Sequence, residues 1–365
     1  MLNRTTIVSL LAVLALALPA GSAAAAGHSG AVVFSRAVAQ TTKDSEGKET
    51  TTTEGGLYAV RDGHLNQLTE DPTDTEPAFS PNGRAIAFVR SGDIFSVRAD
   101  GSGLRRLTDG AALDAAPTVS PNGKFVVFER RSAGDAPADL YAVNSLGGGT
   151  RALTGTPEDD HEASFSTDGR LIVFVRSVAE TGGGTADDLY SVRPSGAHAA
   201  RLTRTGRVDE FDPRYFAAGI VFSRGEGGEG ASAYADVYTM RGNGKKVRPL
   251  VAGAGSAYVE DVSPDGRTVL FRRDQGLWVK RIGPGRARKL TELPDGSQTN
   301  AVFSSDGTRV AAFIEADGRE RLSSIDVSSR STTELAEGFE PLEPSTTPGA
   351  VTTIGPVITW QPVRR

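Results

Sequence analysis

The chain contains no cysteine in 365 residues and only four histidines, two tryptophans and two methionines. Lacking thiols, it has no disulfide staple, thiolate metal site, iron–sulfur cluster or cysteine nucleophile. Imidazole is confined to His28, His64, His161 and His198, which leaves most familiar catalytic toolkits thin. Basic residues do not predominate either: 40 Lys and Arg stand against 45 Asp and Glu, for a formal net charge of -5. A broad nucleic-acid surface is therefore not expected. What the chain has in quantity is turn formers, with 43 glycines and 19 prolines.

The N-terminus reads as an export leader. Arg4 precedes an apolar run from Ile7 to Leu18, and Pro19 and the small-residue stretch from Gly21 to Ala26 close it. One positive charge, a short apolar core and an Ala24-x-Ala26 site suit signal cleavage, and the run is too short for a confident membrane span. No cysteine follows it for lipid attachment. The expected organisation is a leader at 1–26 and one domain at 27–365, with no transmembrane segment after cleavage and a secreted, periplasmic or cell-envelope location.

The remainder is repetitive. The phrase Phe79-Ser-Pro-Asn-Gly-Arg84 returns at Val119, Phe165, Val262 and Phe303, with a degraded copy at Phe211-Asp-Pro213. Asn-Gly and Asp-Gly between apolar runs are strong hairpin signals. A β-branched run ending in an aromatic and then Arg follows, as in Ala85-Ile-Ala-Phe-Val-Arg90 and Phe125-Val-Val-Phe-Glu-Arg130. Third comes a segment such as Asp139-Leu-Tyr-Ala-Val143, and fourth a short Leu-Thr ending, as at Leu107 and Leu153. Four short strands per unit compose a propeller blade. The second strands start near 31, 85, 125, 171, 219, 268 and 309, which gives seven units. The first unit lacks an opening strand, while the segment Pro356 to Pro362 is left unpaired and carries Trp360 in the matching place. The expected fold is an all-β, up-and-down seven-bladed propeller whose first blade is completed by the C-terminal strand.

On these phrases the repeat resembles the TolB-type, WD-like propeller repeat over residues 30 to 362. Members range from a periplasmic component of the Tol envelope system, which binds a peptidoglycan-associated lipoprotein, to propeller domains attached to serine peptidases. This chain differs from the former in having no α/β domain before the propeller and in counting seven blades where that protein has six. The resemblance implies that Phe79, Ser80, Pro81 and Gly83 are architectural.

Two faces are expected to differ. The turns joining first to second and third to fourth strands are short and uniform, and form a turn face. On the opposite, crossing face the loops vary: Ala37 to Gly56, Arg131 to Ala138, Ser177 to Asp187 and Gly225 to Ala235 are polar and read as mobile surface. Acidic residues recur at the blade crossings. The binding-face candidates among them are Glu76, Asp114, Asp159, Asp160, Glu162, Glu210, Glu260 and Asp261, together with His161. Their register gathers carboxylates around one channel mouth, which favours a basic partner segment or a cation. Paired crossings suit a hard ion such as calcium, but no EF-hand-like spacing exists, and turn and capping chemistry is the prevailing reading. The arginines at 36, 90, 130, 176, 224 and 273 repeat blade by blade. They are therefore expected to pair with Asp93, Asp139, Asp188 and Asp236 and not to bind ligand.

No catalytic constellation stands out. There is no G-x-S-x-G elbow, no H-E-x-x-H, no sialidase-type Asp box and no phosphate-binding glycine loop. His161 beside the acids at 158–162 is the best acid/base candidate. The function expected is non-catalytic binding of a protein or envelope component through the acidic face, without cofactor. The alternatives are an extracytoplasmic hydrolase or lyase acting on glycan or peptide at the channel mouth, and a structural envelope protein.

Overall fold

The computed structural model describes residues 30–43, 49–61, 63–132, 136–179, 184–206, 208–226, 234–253, 255–293, 300–316, 319–339 and 358–360. The leader at 1–26 lies outside them. Seven four-stranded antiparallel sheets form a ring of seven blades, and no helix occurs among the described residues. Blades 2 to 7 each run outward in chain order, from innermost strands that begin at Asp74, Leu113, Asp160, Val208, Ala257 and Ala301. Blade 1 is assembled from both ends of the chain. Ile358–Trp360 pairs antiparallel with Val32–Lys43, matching Val32 to Trp360 and Phe34 to Ile358, and so supplies the missing inner strand. Closure of this kind leaves no unpaired inner edge.

Each repeated phrase has a hydrogen-bonding reason. In blade 2 the Ser80 hydroxyl donates to Asn82 Oδ1 at 2.9 Å and accepts from the Ala85 amide at 3.0 Å, while Asn82 Oδ1 takes the Arg84 amide at 3.0 Å. Gly83 supplies the positive φ of 65° that closes the turn. Asp168, Asp265 and Asp306 play the part of Asn82 in blades 4, 6 and 7. The Ser166 hydroxyl holds the Asp168 carboxyl below the usual range, and Ser263 does the same for Asp265. The Leu-Thr ending is a second knot. Thr69, Thr108, Thr154 and Thr203 accept the amides of Leu57, Ile94, Leu140 and Leu189 at 2.8–2.9 Å, tying each outer edge to the third strand.

Apolar packing lies between blades. Phe34, Phe88, Phe128, Phe174, Phe222 and Phe271 are fully buried, one per blade, each beside a ring of the third strand. Burying a ring of this size contributes about 2–3 kcal/mol. Blade 7 offers Phe313 instead, set edge-on to Phe34 of blade 1 at 5.7 Å across the closing junction.

Two expectations are corrected. The segment from Ala37 to Gly56 is not a loop over most of its length: Val32–Lys43 and Glu49–Arg61 pair continuously from Val32↔Val60 to Lys43↔Glu49. Its run of threonines suits an extended hairpin. Nor is Phe211-Asp-Pro213 a degraded turn. Arg214, Tyr215 and Phe216 pair with Val221, Ile220 and Gly219, which puts the blade 5 turn at 216–219 and makes Asp212 and Pro213 a bulge within the strand.

Candidate functional site

The innermost strands place two tiers of acids on the channel side of the crossing face. Asp74, Asp114, Asp160 and Glu210 form the first tier, with fully buried side chains. Each accepts a guanidinium from the second strand of its own blade. Arg90 reaches Asp74 at 2.6 and 2.7 Å, Arg130 reaches Asp114 at 2.6 and 2.8 Å, and Arg176 reaches Asp160 at 2.5 and 2.6 Å. Arg224 meets Glu210 at 2.9 Å. The same guanidiniums lie over the blade's aromatic pair, with Arg176 5.4 Å from the Phe174 centroid and 4.8 Å from Tyr190. Arg90, Arg130, Arg176 and Arg224 are structural, as expected, but their partners are the inner-strand acids and not those opening the third strands. Asp93 and Asp188 pair with Arg106 and Arg201 of the outer strands, and Asp139 accepts from Thr154 at 3.1 Å. Bidentate geometry and ring faces together favour the inward pose.

The second tier lies two residues deeper. Glu76, Ala116, Glu162 and Asp212 adopt positive φ of 52°, 49°, 55° and 52° in a bulge that interrupts pairing with the second strand. Here the backbone amide turns toward the preceding blade and meets a carboxylate. Ala116 N donates to Glu76, Glu162 N to Glu129 at 2.8 Å, and Asp212 N to Glu162 at 2.6 Å. The other junctions use variations: Val259 N donates to Ser223, Ala301 N to Glu260, Phe303 N to Asp261, and Phe79 N to Thr359. The acids therefore latch blade to blade around the channel.

These latches gather carboxylates that make no ion pair. Among the described residues no Lys or Arg comes within 4 Å of Glu76, Glu129, Glu162 or Asp212. Burial, reinforced by the neighbouring Glu162 and Glu76, pushes Glu129 up to about 7. Burial and the Glu162 charge do the same for Asp212, also to about 7, and burial raises Glu76. Asp261, buried against blade 7, is pushed up to about 6.

The remaining candidates take other positions. Asp159 accepts the Ala138 amide at 2.6 Å and pairs with Arg131 at 2.9 Å, bridging blades 3 and 4. Glu260 lies 3.6 Å from Arg272. His161 Nδ1 lies 3.6 Å from Asp159, beyond hydrogen-bond reach, and has no partner. No group of three or more His, Asp and Glu able to hold a metal occurs among the described residues. Two channel acids escaped the sequence reading. Glu129 follows Phe128 where other blades carry Val89, Val175 or Ser223, and Asp212 was assigned to a turn. A break in the repeat was the signal for both.

The seven closed blades and their turn knots define the class, a seven-bladed β-propeller. Within it, residues 48–210 match the TolB beta propeller domain, and the chain is a TolB-like β-propeller. TolB from Acinetobacter baumannii is 14% identical with a TM-score of 0.53, covering 89% of this chain and 82% of its own. An oligogalacturonate lyase from Vibrio parahaemolyticus is 12% identical with a TM-score of 0.60, covering 82% and 98%. A puromycin-hydrolysing peptidase from Mycobacterium tuberculosis is 13% identical with a TM-score of 0.61, covering 84% and 53%. At these identities the likeness is one of fold. No curated protein sequence matches the chain.

Proposed function

We propose that this is an exported, non-catalytic binding propeller, with a leader at 1–26 and a working domain at 27–365, that holds a basic segment of a protein or envelope partner at its acidic channel. One observation carries the reading: Glu76, Glu129, Glu162 and Asp212 converge on the channel, and none of them is joined to a Lys or Arg in an ion pair. Low-dielectric walls focus the field of such a cluster outward and favour cationic guests. Non-catalytic use is supported by the bonding. The acids hold neighbouring backbone amides, and His161 has no hydrogen-bonded acid or nucleophile to act with. Binding of proteins by TolB-type propellers is consistent with this role, and a leader at 1–26 is consistent with an extracytoplasmic site.

Affinity capture from the native cell envelope tests the proposal, using the 27–365 protein beside a variant carrying Glu76→Gln, Glu129→Gln and Glu162→Gln. A basic partner retained by the former and lost by the latter is expected. Turnover of a glycan or peptide library with no partner recovered would overturn the reading in favour of an enzyme.

A further inference from the structure

The turn-face end of the channel breaks the repeat at one point. The innermost position two residues before each turn is occupied by Ala78, Thr118, Ser164 and Val302 in blades 2, 3, 4 and 7. Blades 5 and 6 place Arg214 and Asp261 there instead. A residue repeated in every blade serves the architecture, whereas a charge present in one blade alone is unexplained by it. Between blades 4, 5 and 6 opens a cavity of about 240 Å³, lined by Ser164, Thr167, Arg214, Tyr215, Asp261 and Ser263 among others.

The polar groups of this cavity are unusually idle. Arg214 is half-buried, has no carboxylate within 4 Å, and makes one side-chain hydrogen bond, to the carbonyl of its neighbour Pro213 at 3.1 Å. The arginines of the first tier, by contrast, are all engaged. Tyr215 replaces the Phe or Val found at this place in blades 2, 3 and 4, and its hydroxyl is shielded from solvent without a partner. A buried hydroxyl left without a partner is destabilising, and a bound acceptor would relieve that cost. Asp261 and Asp212 act on Arg214 at a distance, without an ion pair. The two Asp261 oxygens are held by the amides of Val262 at 2.7 Å and Phe303 at 2.8 Å, which fixes a second, opposite charge in the cavity wall.

We propose that this cavity is a binding site for a small monocarboxylate bearing a hydroxyl or amide donor. A guanidinium fork matches a carboxylate bidentately. The Ser164, Thr167 and Tyr215 hydroxyls are placed to complete its shell, and Asp261 accepts the donor while repelling a second negative charge. Multiply charged anions are disfavoured for the same reason. The carboxylate comes either from a free hydroxy acid or from the C-terminus of a peptide, and the site lies two residues beyond Asp212 of the acidic cluster, on the turn side of the bulge.

Calorimetric titration of the 27–365 protein with lactate, N-acetyl-alanyl-alanine and the C-terminal amide of that peptide tests the site. Binding of lactate alone assigns a free acid, tighter binding of the peptide acid assigns a chain terminus, and the amide is expected not to bind. Arg214→Met keeps the apolar stem and should weaken the bound carboxylate at least about tenfold. Tyr215→Phe removes only the hydroxyl and should weaken it about threefold, providing a second reading if Arg214→Met lowers the melting temperature. Equal binding of amide and acid, undiminished affinity in both variants, or no heat from either acid at about 20 mM would overturn the proposal.

Discussion

The Glu162 carboxylate of blade 4 accepts the backbone amide of Asp212 in blade 5 at 2.6 Å. Its own amide is held in turn by Glu129 of blade 3, so one residue latches two junctions. Substituting Glu162→Gln keeps an acceptor and removes a charge, and should leave the melting temperature unchanged or raised. Glu162→Ala orphans the Asp212 amide and should cost about 1–3 kcal/mol. Denaturant melts of the two variants separate acceptor from charge; equal loss in both would show that the charge itself holds the junction.

The same carboxylates set a pH dependence. Glu129 and Asp212 are pushed up to about 7 and Asp261 to about 6, chiefly by burial. Above these values each is charged in both folded and unfolded chains, and the folded chain bears the cost of burying the charge. As pH falls through them the folded chain binds protons that the unfolded chain does not take up until about pH 4, so stability rises. The groups facing them are Glu76, Glu162 and His161 around Glu129, and Glu162, Arg214 and Arg272 around Asp212. The melting temperature should climb by about 2–5 °C from pH 8 to pH 5.5. Glu129→Gln should flatten that slope, and a steady fall over the range would contradict the assignment.

Below that window the trend should reverse. Asp326, lowered to about 2 by the Ser328 and Ser329 amides and hydroxyls, and the lowered Asp168, Asp265 and Asp306 lose their bonds on protonation. Stability that they contribute is present above the unfolded carboxylate range and disappears as pH falls toward their folded values. A melting-temperature maximum near pH 5 is the expected signature, checked by calorimetric scans from pH 3 to 8.

Asp160 and Arg176 are both buried, and removing one partner strands the other. Asp160→Asn and Arg176→Met should each cost about 3–5 kcal/mol, while the double substitution should recover part of that loss. Additive losses in a double-mutant cycle would show that the pair is not coupled.

Deleting residues 356–365 removes the strand that covers Val32, Val33 and Phe34 and takes Thr359 from the Phe79 amide. A drop in melting temperature of at least about 5 °C is expected by circular dichroism. An unchanged melt would sink closure of the ring by its C-terminal strand.

The architecture was legible because its signals are local. Ser80, Asn82 and Gly83 make their bonds within six residues, and Thr108 caps a neighbouring strand of its own blade. The arginine partners were not. Arg90 is flanked in the sheet by Asp74 on one side and Asp93 on the other, and proximity in sequence favoured Asp93. Arg106 occupies Asp93 from the outer strand, and that contact is invisible in a linear pattern. Glu129 and Arg214 were missed for the opposite reason. Each departs from its repeat, so a reading that sought recurrence passed over the residues that recur least.

The acidic channel is tested most directly by titrating the 27–365 protein with a tetra-arginine peptide at low and high salt, beside the Glu76→Gln, Glu129→Gln, Glu162→Gln variant. Micromolar binding that weakens at least about tenfold with salt, and likewise in the variant, is the predicted result. Equal affinity in the two proteins, or no binding to either at low salt, would contradict a channel built to hold a cationic guest.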